Sequence, residues 1–186
     1  MSVFVTSDTH FGHEKILTFR RPDGEPLRPF SSIEHMHDAI VERWNGIVRP
    51  NDVVYHLGDV AISVQSLRIL DRLNGKKILV MGNRDRFSYL EYSWYFSEMK
   101  GVVYYDNLIF SHIPVHESSF EGHFDGNVHG HLHCHLINNF RYFNACVEVN
   151  NFSPVALEDI KAYFKANERA PHVQHSHQGA MERSHS

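Results

Sequence analysis

The sequence predicts an α/β fold, on three observations. Apolar runs of strand length alternate with stretches of helical periodicity from Val3 to Met81. Most of the apolar runs stop in a short polar string carrying aspartate, asparagine or histidine. Glycine stands immediately before the key residue in three of those strings, at Gly58, Gly82 and Gly130. A β-α-β-α-β order implies parallel strands joined by right-handed crossovers. A length of 186 residues suits one domain with a proper core. That domain is expected over residues 1–165, with residues 166–186 as a flexible, histidine-rich tail.

Val3-Phe4-Val5 reads as a first, buried strand ending in Ser7-Asp8-Thr9-His10. Residues 11–30 hold Gly12, Pro22, Gly24, Pro26 and Pro29, which is loop chemistry. Ser31 with Glu34 three residues on has capping-box form and opens an amphipathic helix. Its apolar face is Ile33, Met36, Ile40, Val41 and Trp44. After Pro50-Asn51-Asp52 a second strand runs from Val53 to Leu57 and ends in Gly58-Asp59. A helix from Val64 to Leu73 stops at Asn74-Gly75, and a third strand from Lys77 to Met81 ends in Gly82-Asn83.

The second half changes character. Val102–Tyr105 and Leu108–Phe110 flank Asp106-Asn107, a hairpin signal. A loop from Pro114 to Gly126 leads into Val128-His129-Gly130-His131-Leu132-His133. Phe143 to Val149 is predicted as the last strand, and Ser153-Pro154 as the start of a closing helix that reaches Phe164.

Composition excludes several classes. The net charge of −4 gives no basic footprint for bulk nucleic-acid binding. No apolar run approaches the ~20 residues that span a bilayer. Cys134 and Cys146 form no CxxC pair. The opening Met1-Ser2-Val3-Phe4-Val5 leaves no room for a signal peptide before Asp8. A cytoplasmic, soluble protein with no membrane partner is the expectation. The 16 histidines are the one unusual count.

The polar groups at the predicted strand ends are Asp8 and His10, Asp59, Asn83, His112, His131 and His133. Sites of open α/β sheets lie outside the carboxyl ends of the strands, so these seven are expected to converge on one crevice. Residues two apart on a strand face one side, which pairs Asp8 with His10 and His131 with His133. Taken singly, each aspartate or asparagine is an ordinary turn residue; the ordered set is what points to metal. Carboxylate, imidazole and amide oxygen without thiolate suit Mn²⁺, Fe, Zn²⁺ or Ni²⁺ better than Mg²⁺ alone. Seven donors exceed one tetrahedral ion and suit two ions sharing a carboxylate. His129 and His135 are expected behind the ligands or at the surface. His35, His37 and His56 are expected to be structural, with Cys134 pointing away and His172, His175, His177 and His185 silent in the tail.

The string Asp8-x-His10, Gly58-Asp59, Gly82-Asn83, His112 and Gly130-His131-x-His133 resembles the calcineurin-like metallophosphoesterase family. It spans residues 8 to 133 in the family's order. The resemblance implies a four-layer α-β-β-α sandwich with mixed sheets. It also implies two divalent cations, one held by Asp8, His10 and His133, the other by Asn83, His112 and His131, with Asp59 bridging. The implied reaction is hydrolysis of a phosphodiester or phosphomonoester of a nucleotide or small metabolite by a metal-bridging hydroxide. Diesters are favoured because small members often prefer them. Asn83 would also orient a phosphate oxygen.

One departure stands out. The family commonly places histidine after this asparagine to protonate the leaving oxygen, whereas here Arg84 and Asp85 follow. Arginine clamps phosphate oxygens but cannot usefully donate a proton; Arg84 either binds substrate or pairs with Asp85. Either another residue supplies the proton or the substrates have good leaving groups. His13, as phosphate ligand or general acid, and His116 are the nearest candidates in sequence. Arg20, Arg21 and Arg28 either read phosphates or are solvated. The competing class is a metal-binding scaffold or protein-interaction module with weak or lost activity, against which the filled ligand positions argue.

Overall fold

Strand alternation divides the apolar side chains of the first half between two cores. Val5, Tyr55, Ile78 and Val80 belong to one, while Phe4, Val54 and Leu79 belong to the other. These residues lie on β1 (Val3–Thr6), β2 (Val53–His56) and β3 (Lys76–Val80), which pair in parallel as the alternation predicts. The computed structural model describes residues 1–120 and 122–167. Of the tail expected over residues 166–186, residues 168–186, with their four histidines, lie outside the described residues.

Two strands complete this sheet. β4 (Glu98–Lys100) adds in parallel beside β3, and β9 (Val155–Ala156) adds antiparallel beside β1, giving the order β4-β3-β2-β1-β9. A second sheet runs β5 (Val103–Tyr105), β6 (Leu108–Ser111), β7 (Gly126–His129) and β8 (Tyr142–Asn144). β5 is antiparallel to β6 and the rest are parallel. The hairpin forms where predicted, with Asp106 and Asn107 both left-handed at φ 50° and 62°, as a two-residue primed turn requires. Leu108, Phe110 and Val128 face Val5, Tyr55, Ile78 and Val80 to make the inter-sheet core. The mixed sheets and packed helices fit the expected sandwich.

Helices cover the other face of the first sheet. α1 (Ile33–Ile47) buries Met36, Ile40, Val41 and Trp44, the predicted apolar stripe. Its N-cap is Ser32, whose hydroxyl accepts from His35 N at 3.1 Å. The expected Ser31/Glu34 capping box does not form, because Ser31 Oγ turns to His35 Nδ1 at 3.0 Å. A full capping box does form at Ser88 and Glu91, opening α3 (Tyr89–Ser93). The helix expected from Val64 to Leu73 is α2 (Val64–Leu67) followed by a 3₁₀ turn over Arg68–Arg72. Three residues per turn bring Leu67 and Leu70 to one face, and both are buried.

The last segment corrects two expectations. The strand predicted to Val149 stops at Asn144, whose side chain accepts from Cys146 N at 2.9 Å and donates to the carbonyls of His133 and His135. A 3₁₀ turn, Val147–Val149, follows. Ser153-Pro154 opens no helix directly, since β9 intervenes before α4 (Leu157–Asn167). Proline is tolerated at an edge-strand entry because no ladder hydrogen bond is required of it. α4 also makes Ala166 and Asn167 helical, past the expected boundary at residue 165.

Candidate metal centre

The parallel ladder of the first sheet continues beyond its strands. Leu57 N donates to Thr6 O, Asp8 N to Gly58 O, His10 N to Asp59 O and Phe11 N to Val60 O, at 2.7 to 3.0 Å. This lacing holds the loops after β1 and β2 side by side. Asp8, His10, Asp59, His131 and His133 all adopt positive φ, between 49° and 69°. A left-handed residue with a Cβ costs about 1–2 kcal/mol, so the surroundings must enforce it. β1 stops at Thr6 and β7 at His129, so the pairs Asp8/His10 and His131/His133 lie past the strands. Left-handed turns, rather than strand alternation, bring them together.

All seven predicted residues gather at one place. One donor atom from each of Asp8, His10 and His133 lies within 4.8 Å of the others, and the same holds for Asp8, Asp59 and His112. Asp59 divides its oxygens: Oδ2 lies 3.6 Å from His10 Nε2, and Oδ1 lies 3.5 Å from His112 Nε2. Asn83 Oδ1 stands 2.8 Å from His112 Nε2 and 3.1 Å from His131 Nδ1. Five of the seven, His10, Asp59, Asn83, His131 and His133, line a cleft of about 380 Å³ together with His13, Phe19, Ile62 and Arg84, while Asp8 and His112 are buried and do not line it. A larger cavity of 620 Å³ lies at the opposite ends of the second-sheet strands, beside His123, Arg141 and Lys161, and holds none of the seven.

Several donors in the cleft are committed elsewhere. Leu57 O can only accept, so His112 Nδ1, at 2.8 Å, donates to it. Any further hydrogen on that ring would make it cationic; in the neutral ring the Nε2 lone pair faces Asn83 Oδ1 and Asp59 Oδ1. Asp8 Oδ2 is saturated by Ser7 Oγ, His131 N and Cys146 Sγ at 2.6, 2.8 and 3.3 Å. Asp8 Oδ1 and His10 Nε2 are buried without a hydrogen-bond partner. Buried groups left this way are costly, and oxygens and imidazoles converging without hydrogens between them suit a cation. Burial opposes the charge on Asp8, but the His10 imidazole and those of His112 and His133 hold its carboxyl well below the usual range.

Supporting residues explain the shape. A Cβ on Gly130 would overlap Ser7 Oγ and stand 2.5 Å from Asp8 Oδ2, so only glycine lets this turn approach. Asp85, buried, accepts from Asp59 N, Val60 N and Gly82 N and from Tyr92 OH. It ties the β2 and β3 exits together and does not pair with Arg84, whose exposed side chain lines the cleft while its N–H donates to Asp59 Oδ1.

Arg28 is neither solvated nor a phosphate reader. It is fully buried and bonds Glu148 and the carbonyls of Asp8 and Thr9. Burial pushes the Glu148 carboxyl up, but Arg28 and the bond to His133 bring it below its ordinary value. Arg21 reaches Glu148 O and Arg20 reaches Gly24 O. Arg28 and Asp85 thus take buried roles other than the alternatives their sequence positions offered, and Glu148 had no signal beyond a lone carboxylate between Val147 and Val149.

His56 and His37 are structural as expected. His37 Nε2 accepts from Gly12 N at 2.9 Å. His56, fully buried, accepts from Gly58 N at Nδ1, so Nε2 donates to Thr9 Oγ1, which passes its own hydrogen to Val60 O. Burial pushes the His56 imidazole down to about 4. A depressed imidazole binds its proton more readily when unfolded, so the stability it contributes is present above pH ~6.5 and lost toward pH 4. The advantage of wild type over His56→Gln in urea unfolding is therefore expected to shrink on the order of 3 kcal/mol across that window. A pH-independent difference would refute the assignment.

The fold and this carboxylate–imidazole cleft together define a metallophosphoesterase. The calcineurin-like phosphoesterase model matches residues 1–185, and the chain belongs to that family. It is 32% identical over 168 residues to an uncharacterized protein of Methanocaldococcus jannaschii, covering 84% of this chain and 87% of that one. It is 27% identical over 90 residues to the gene 66 protein of Mycobacterium phage L5, covering 45% of this chain and 40% of the phage protein. Among solved structures, a protein of unknown function from Aquifex aeolicus superposes with a TM-score of 0.67 at 26% identity, over 87% of this chain and 98% of that chain. The chain is thus a metal-dependent phosphoesterase by family, with a phosphate ester as substrate class. No helix among the described residues is long and apolar enough to cross a membrane.

Proposed function

We propose that the chain is a dinuclear metal-dependent hydrolase acting on phosphodiesters in preference to phosphomonoesters. In this reading Asp8, His10 and His133 hold one divalent cation, Asn83, His112 and His131 hold a second, and Asp59 is shared. The observation that carries it is the division of Asp59, with one oxygen toward His10 and the other toward His112. Bound to these residues, divalent cations such as Mn²⁺, Fe, Zn²⁺ or Ni²⁺ would neutralise phosphate charge and lower the pKa of water. The catalytic unit reaches at least the end of α4 at Asn167, and a cytoplasmic setting accords with Cys134 and Cys146 being free.

The chain's own residues then divide the remaining work. Asn83, with Oδ1 directed at His112 and His131, leaves its amide hydrogens for a phosphate oxygen. Arg84 offers a guanidinium at the cleft wall as a second clamp. His13 lies in the same wall with its Nδ1 buried and unpartnered. Burial, then His10, Arg28 and Arg84, lower its pKa, which favours the neutral ring. A neutral imidazole keeps one N–H to donate to a phosphate oxygen but is too weak an acid to protonate a leaving group, so in this reading His13, at the cleft wall with Nδ1 unpartnered, is a phosphate ligand. With Arg84 and His13 both poor acids, substrates with good leaving groups suit the site, and a diester at working pH carries one charge fewer than a monoester for the site to desolvate.

Chelator-treated protein is expected to be inactive and to regain turnover of bis-p-nitrophenyl phosphate on adding Mn²⁺, at a higher kcat/KM than for p-nitrophenyl phosphate. No metal-restored turnover would leave the scaffold reading standing. His13→Ala is expected to lose about a hundredfold on activated and unactivated diesters alike, as for a lost oxyanion donor. A loss confined to the unactivated ester would restore His13 as general acid.

A further inference from the structure

Arg28 and Glu148 stand 120 residues apart, both buried, outside every polar string at a strand end. Arg28 donates Nε and Nη2 to Glu148 Oε1 at 2.9 and 2.5 Å. Its Nη1 donates to Thr9 O at 2.7 Å and its Nη2 to Asp8 O at 2.5 Å. The same Glu148 Oε1 accepts from His133 Nδ1 at 2.8 Å. One guanidinium thus fastens the left-handed turn carrying Asp8 and His10 and, through one carboxylate oxygen, the ring of His133. The bond to Glu148 places a hydrogen on His133 Nδ1 and, in the neutral ring, leaves Nε2 a lone pair 3.9 Å from Asp8 Oδ1.

A buried ion pair is weak as a source of stability, since apolar residues of similar volume often serve as well. Here every strong bond of the pair leads toward Asp8, His10 or His133, and none of the hydrogen bonds of either side chain goes to Asn83, His112 or His131.

We propose that Arg28 and Glu148 are positioning residues for one half of the cation site, fixing the Asp8–His10 turn and holding His133 in the Nδ1–H tautomer so that the three act as one donor set. This rests on the dinuclear reading and adds two residues that reading does not use. A carboxylate behind a ligating imidazole fixes the ring and strengthens the donor, and its loss costs about 10–100-fold in metal affinity.

The test titrates chelator-stripped full-length protein with Mn²⁺ alone by calorimetry. Wild type is expected to bind two equivalents. The double variant Arg28→Met/Glu148→Leu, which removes both charges together and so strands neither, is expected to weaken one equivalent about 10–100-fold and leave the other within about twofold. Glu148→Gln keeps an oxygen in place and is expected to fall between the two. In long-range ¹H–¹⁵N spectra of metal-free protein, held alkaline enough for neutral imidazoles, His133 is expected as the Nδ1–H tautomer in wild type and Glu148→Gln and as a mixture in the double variant.

Wild type that binds fewer than two equivalents of Mn²⁺ defeats the dinuclear reading itself. Two equivalents in wild type, with the double variant unchanged or weakened equally at both, overturn the positioning role alone. If the double variant does not fold, the wild-type spectrum decides: an Nε2–H tautomer at His133 overturns the proposal, and Nδ1–H supports it.

Discussion

Replacing Asp59 with alanine is expected to lower kcat/KM on bis-p-nitrophenyl phosphate at least about a thousandfold, which is about 4 kcal/mol of lost transition-state stabilisation. It is also expected to reduce the Mn²⁺ bound from two equivalents to at most one. The carboxylate turns one oxygen to each donor set, at 3.6 Å from His10 and 3.5 Å from His112. Its contribution to folding is small by comparison, because its hydrogen-bond partner is the single N–H of Arg84. Thermal melts of the metal-free variant should therefore stay within a few degrees of wild type, which separates loss of the site from loss of the fold. Activity within tenfold of wild type, or two full equivalents still bound, would remove Asp59 from the shared position.

How much of this was legible follows from where each residue stands. The seven strand-end residues were readable because short apolar runs terminate in Asp8, Asp59 and Asn83, with Gly58 and Gly82 marking close approach. The geometry bears out that mark, since a Cβ on Gly82 would meet the backbone N and carboxylate of Asp59. Strand alternation gave the right pairs for the wrong reason, because the left-handed turns at His131 and His133 are imposed by tertiary bonds such as His131 N to Asp8.

Arg28 and Glu148 were hidden by distance: nothing local says that an arginine among prolines will be buried against a carboxylate 120 positions on. By contrast the Ser88-x-x-Glu91 box was present in the sequence and passed over, since α3 is only five residues long and carries no helical stripe. The two-residue β9 was beyond pattern reading altogether, because so short a strand has no period to detect.

Asp85 leads to the largest expected loss of stability. Its carboxylate accepts from three backbone N–H groups, at 2.8, 3.0 and 2.8 Å, and from Tyr92 OH at 3.2 Å, in a position 7% exposed. Burial and the Asp85 charge together push the Tyr92 hydroxyl far above its ordinary range, so it remains a donor at every working pH. Alanine at this position leaves four donors without an acceptor, each costing about 1–3 kcal/mol when buried. The losses overlap, and a total of about 4 kcal/mol is expected in urea unfolding, or a fall in Tm of roughly 8–16 °C for a chain of this size.

Asparagine should recover only part of this, because its amide nitrogen would face donors where Asp85 Oδ1 or Oδ2 now accepts. Tyr92→Phe, which removes one donor and leaves the three backbone bonds, should cost about 1 kcal/mol. The same carboxylate holds Asp59 N and Gly82 N against each other, so Asp85→Ala should also weaken Mn²⁺ binding at temperatures where the variant is still folded. A stability loss below about 1 kcal/mol would mean that water replaces the carboxylate, and the β2 and β3 exits would then owe their spacing to the glycines alone.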